Sequence, residues 1–62
     1  MNAHRLELLL IAAQSLRKHE AENRNHLFEI DRAIELIQCG VTNSHTDCVE
    51  NWVTAYLAEV AA

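Results

Sequence analysis

The sequence predicts an all-α fold. Three observations carry this: proline is absent, glycine occurs once, at Gly40, and apolar residues recur at helical spacing on both sides of that glycine. A chain with so little turn chemistry lacks the means to build the many tight connections of an all-β fold. At 62 residues it forms one domain at most, and such a chain buries only ~60% of the surface that its unfolded form exposes. Folds of this size usually draw on a disulfide, a metal or a partner subunit for stability.

The first element is read from its phase. Leu6, Leu9, Ala13, Leu16, Leu27, Ile30, Ile34 and Ile37 all fall on a and d positions of one heptad register, broken only by Glu20 and Asn23. A register shared across the polar stretch HEAENRNH, residues 19–26, predicts one continuous helix from about Ala3 to Cys39. Glu20 stands four residues before Arg24, the favourable order for a helical ion pair worth ~0.2–0.5 kcal/mol. On this reading Glu20 and Asn23 form a polar layer that costs stability and fixes register and partner number.

Gly40 then sits where a C′ glycine belongs, with Val41 placed to fold back on Leu36 in a Schellman cap. The turn spans residues 40–44, and Ser44 with Asp47 three residues later forms a capping-box-like pair. A second helix, about residues 45–60, places Val49, Trp52, Val53, Tyr56 and Val60 on one apolar face. The expected architecture is a helical hairpin forming a single domain over residues 1–62. Its core is Ile30, Ile34, Ile37, Val49, Trp52, Val53, Tyr56 and Val60.

The arms of that hairpin are unequal, ~55 Å against ~24 Å at helical rise, so the second helix covers only the region of Ile30 to Ile37. Leu6 to Leu16 stay uncovered, and Leu8, Leu10 and Ile11 lie outside the stripe, making this segment apolar on several faces. Such a helix must be buried on several faces, and a twofold homodimeric helical bundle is the simplest solution. The expected oligomer interface is Leu6, Leu9, Leu10, Ala13, Leu16, Glu20, Asn23 and Leu27.

Charge narrows the partners. Five Lys and Arg stand against nine Asp and Glu, and from Ala33 onward there is no cation, so the C-terminal half repels phosphate backbones. Although His4 and Arg5 precede LLLIAA at residues 8–13, Glu7 interrupts the approach. The apolar run is too short for a signal segment or a membrane span. A cytoplasmic location is the expectation, and with it two reduced cysteines, Cys39 and Cys48, packed as small hydrophobes.

Several motifs approach a chemistry and miss it. HEAEN, residues 19–23, resembles the opening of the zincin motif H-E-x-x-H, but Asn23 replaces the second histidine. His19, Glu22 and His26 share a face of the continuous helix, where solvated residues beside a seam are the expectation over a metal site. Cys39, His45 and Cys48 bracket the turn with a spacing foreign to the common zinc modules and without an obvious fourth ligand. The segment from Ala33 to Trp52 has some character of a helix-turn-helix, yet its second helix offers Asp47 and Glu50 in place of base-reading and phosphate-binding side chains. Arg5, Arg17, Lys18 and Arg24 supply the only basic stripe for a Rop-like RNA-binding hairpin. No nucleophile with a base, phosphate loop or carboxylate pair is visible, so neither an enzyme nor a cofactor is expected.

The compact chain, its opening MNAHRLELLL and its leucine-rich first helix resemble the small accessory proteins of bacteriophages, specifically the short early proteins of the lambdoid exo-xis region. The resemblance implies a protein made early in infection that alters host or phage regulation by binding another protein, and it carries over no functional residue. The expected function is therefore non-enzymatic protein–protein interaction by a homodimer with an unidentified protein partner, without nucleic acid or membrane. The alternative is a Rop-like or helix-turn-helix nucleic-acid binder.

Overall fold

A computed structural model describes residues 2–61, and all three of its α-helices are joined by short turns: α1 (Asn2–Leu16), α2 (Arg24–Gln38) and α3 (Ser44–Ala61). The all-α class is as expected. The single helix from Ala3 to Cys39 is not formed, because the chain breaks at HEAENRNH.

The break has a local cause. After Leu16 the backbone tightens into a 3-10 turn over Arg17–His19, and the amides of Glu22 and Asn23 both donate to the His19 carbonyl at 3.1 Å. Asn23 then leaves the helical region, with φ −109° and ψ 18°. Its side-chain amide reaches back to donate to the Leu16 carbonyl at 3.1 Å, satisfying one acceptor that the end of α1 leaves without an intrahelical partner. Asn23 is thus a tie between α1 and the turn, and no polar layer of a seam exists. Glu20 is exposed. Bending here keeps the carboxylate in water, where burial in a continuous apolar seam would have imposed a desolvation cost. The heptad phase agrees on both sides because α1 and α2 each turn the same stripe toward one shared core.

The three helices alternate in direction. Arg5 Nε lies 3.0 Å from Glu50 and the Ser15 hydroxyl 2.8 Å from that of Tyr56, so α1 and α3 run the same way, with α2 antiparallel to both. The Cα radius of gyration is 11.0 Å, close to the roughly 10.5 Å of a compact chain this long. The hairpin with an uncovered N-terminal arm is thereby replaced by a three-helix bundle. Leu9, Ala12, Ala13, Leu16, Leu27, Ile30, Ala33, Ile37, Val49 and Val53 form the buried core, with Leu6, Ile34, Trp52, Tyr56 and Leu57 packed against it. Ala12, Ala13 and Ala33 are completely buried, small residues where helices that cross at ~8–10 Å leave little room.

Four of the residues assigned to an oligomer interface therefore lie in the core of one chain: Leu9, Ala13, Leu16 and Leu27, with Leu6 half-buried beside them. They are covered because α1 folds back between α2 and α3. Of the expected hairpin core, Ile30, Ile37, Val49 and Val53 are buried and Ile34, Trp52 and Tyr56 half-buried, whereas Val60 is exposed. Val60 shares the phase of Val53, but α3 is three residues longer than α1 or α2, 18 against 15, and its last turn runs past its neighbours.

Both ends of the α2–α3 turn are closed by hydrogen bonds. Gly40 has φ +79°, its amide donates to Ile37, and the Val41 amide donates to Leu36, each at 2.9 Å. This is the Schellman pattern. At the start of α3 the cap is Asn43 and not Ser44: the Asn43 side-chain oxygen accepts from the Thr46 amide at 3.1 Å, while Thr46 Oγ1 accepts from the Asn43 amide at 2.9 Å. The same hydroxyl donates to the Asn43 carbonyl at 2.9 Å, so the hydroxyl of Thr46, completely buried, is satisfied as both donor and acceptor. Cys39 and Cys48 are free and exposed, in place of the expected packed thiols. Cys39 caps the end of α2, beyond the last core position.

Candidate functional site

The helical phase that buries Ile30 and Ile37 places Phe28 ~160–180° away around α2. Phe28 is 72% exposed, the most exposed of the large apolar side chains. Arg24 lies one turn before it and Asp31 one turn after, both near neighbours on the helix surface. Together with Leu27, Arg17 and Glu20 these residues line an open cleft of about 270 Å³. The turn that replaces the continuous helix makes this cleft, because it brings Arg17 and Glu20 beside the first two turns of α2.

The cleft is electrically balanced. Arg17 Nη2 stands 3.4 Å from Asp31 Oδ1, an exposed pair worth at most ~1 kcal/mol, and Arg24 and Glu20 add one further charge of each sign. Leu27, only 7% exposed, connects the cleft to the core. Its lining holds guanidinium, carboxylate, aliphatic and aromatic groups and lacks a thiol, hydroxyl or imidazole. Chemically it is a surface for packing and ion pairing.

Leu10, on α1, is 49% exposed. Of the residues expected at an oligomer interface, Glu20 and Leu27 line the cleft and Leu10 is exposed on α1, whereas Leu9, Ala13 and Leu16 face the core. Periodicity does not mark Phe28, which falls off the a and d stripe. That same departure, a large aromatic among Arg24, Asp31 and Arg32, was the signal that could have found it.

The metal-binding patterns disperse. His19 lies in the 3-10 turn and Glu22 in the segment after it, so neither shares a helix face with His26 on α2. The His26 ring packs on Trp52, with centroids 5.0 Å apart and planes tilted by 52°. Among the described residues no three His, Cys, Asp or Glu side chains come together as a metal site, and no helix is long and apolar enough to cross a membrane. Of the cations in the proposed basic stripe, Arg5 is paired with Glu50 and Arg17 with Asp31. The chain matches no family model, no curated protein and no solved structure. Fold and site together define an all-α three-helix protein with an aromatic cleft on its outer face.

Proposed function

We propose that this protein is a non-enzymatic interaction module, a small accessory regulator working in the cytoplasm, which acts by docking a protein surface against the Phe28 cleft. The observation that carries the reading is the 72% exposure of Phe28 on the outer face of α2, amid charged residues. An aromatic ring left in water forgoes roughly 1.5–3 kcal/mol of burial free energy, and buried aromatics flanked by arginine are typical anchors of protein interfaces. The paired state of Arg5 and Arg17 and the excess of acid favour a protein partner over nucleic acid.

Replacing Phe28 with Ser tests this without disturbing the core, since the ring is exposed. Tagged wild-type and Phe28→Ser chains, expressed in the native host, should differ in one respect: a protein retained by the wild type is lost from the variant, while helicity and melting temperature match. Equal retention by both would place the interaction elsewhere and remove the support for this reading.

A further inference from the structure

We propose that the Phe28 cleft is closed by a second copy of this chain, with two α2 helices packed antiparallel about a twofold axis that passes between Leu27 and Phe28. The inference rests on the reading of the cleft as a docking surface and names its occupant.

The argument is one of self-complementarity. A twofold interface sets the same patch against itself, so every residue must find its match within the same short list. On α2 the cleft is lined by the exposed Arg24, Phe28 and Asp31 and, at its floor, by the largely buried Leu27. With the axis midway between Leu27 and Phe28, an antiparallel partner places Phe28 opposite the partner's Leu27, and Arg24 opposite the partner's Asp31. Both matches occur twice by symmetry. Shifting the axis onto Phe28 would stack the two rings but set Arg24 against the partner's Arg32, so charge selects the first register. Asp31 already holds Arg17 at 3.4 Å, and the arriving Arg24 of the partner subunit completes a carboxylate held between two guanidinium groups. A contact of this kind, little more than one helix pair, belongs to the small interfaces that associate weakly and reversibly.

Sedimentation equilibrium on the intact protein over a micromolar to millimolar series tests the proposal, with charge reversals as the discriminating variants. Arg24→Asp alone and Asp31→Arg alone each create two like-charge contacts and should weaken self-association by at least about tenfold. The double variant, Arg24→Asp with Asp31→Arg, restores opposite charges and should recover most of it. Mixing the two single variants should give a heterodimer stronger than either homodimer, a result that a merely destabilised fold cannot produce. Phe28→Ser should weaken association roughly thirtyfold or more, with circular dichroism confirming that every variant retains its helicity. Association untouched by Phe28→Ser, or single variants that fail to complement on mixing, would overturn the proposed register. A wild type that stays monomeric throughout, while Phe28→Ser still loses a host protein, would overturn the second copy as occupant and leave the docking reading standing. If neither behaviour depends on Phe28, both fail together.

Discussion

Leu9→Ala is expected to lower stability by ~2–5 kcal/mol, the usual cost of removing a fully buried leucine when the surroundings cannot collapse, whereas Leu10→Ala costs under ~1 kcal/mol. The two residues are adjacent in sequence, yet Leu9 is 0% and Leu10 49% exposed. For a chain of this length total stability is ~3–9 kcal/mol, so Leu9→Ala removes a large part of it and lowers the melting temperature by roughly 10 °C or more. Thermal melts followed by circular dichroism at low micromolar concentration check this. A dependence of the Leu9→Ala melt on protein concentration as steep as its loss of stability would show Leu9 at an interface between chains, and comparable costs at both positions would show that α1 has no single buried face.

The second large effect concerns the turn. Replacing Glu20 and Asn23 together with Leu should lower stability by ~1–2 kcal/mol, because the Asn23 amide no longer satisfies the Leu16 carbonyl and two leucines are added to surface positions. Aggregation on heating should rise with the exposed apolar area. A single continuous helix predicts the opposite sign, since leucines would complete an apolar seam. The direction of the melting shift therefore reports whether residues 17–23 turn or run straight, and a rise would contradict the three-helix arrangement.

Much of the fold is legible in the sequence where the chain uses chemistry that depends on residue type. Gly40 is readable because only a residue tolerant of positive φ serves at that cap without strain, and its φ of +79° with the Val41 to Leu36 bond bears out the placement. The stripe of Ile30 and Ile37 on α2 and that of Val49 and Val53 on α3 are readable because burial enforces their spacing. The turn after Leu16 is different. Among the described residues only Gly40 has positive φ, so this connection is built from right-handed and bridging conformations open to ordinary residues, and neither glycine nor proline marks it. Its one specific signal is Asn23, whose amide can tie off a helix end as well as occupy a polar seam layer, and the sequence alone favours neither. The cap of α3 is displaced for a related reason: the reciprocal box uses Thr46 at the third helical position, where the familiar pattern has Glu or Gln. The proposed docking surface is legible only in part. Leu10 is exposed, but Leu9, Ala13 and Leu16 lie in the core because the turn abolishes the uncovered arm, and Phe28 lies on the face that periodicity assigns to solvent.

The separation of the two ends of the N-terminal helical region tests the central claim most directly. A chain carrying Ala3→Cys and Cys48→Ser, with the native Cys39 retained, offers two exposed thiols for spin labels, and dilution into unlabelled protein suppresses distances between copies. The antiparallel packing of α1 and α2 predicts a pulsed electron paramagnetic resonance distance within the 29 Å longest dimension of the bundle, since residue 3 lies in the first turn of α1 and residue 39 caps the end of α2. A distribution centred near ~54 Å, the length of an unbroken helix between these positions, would contradict it.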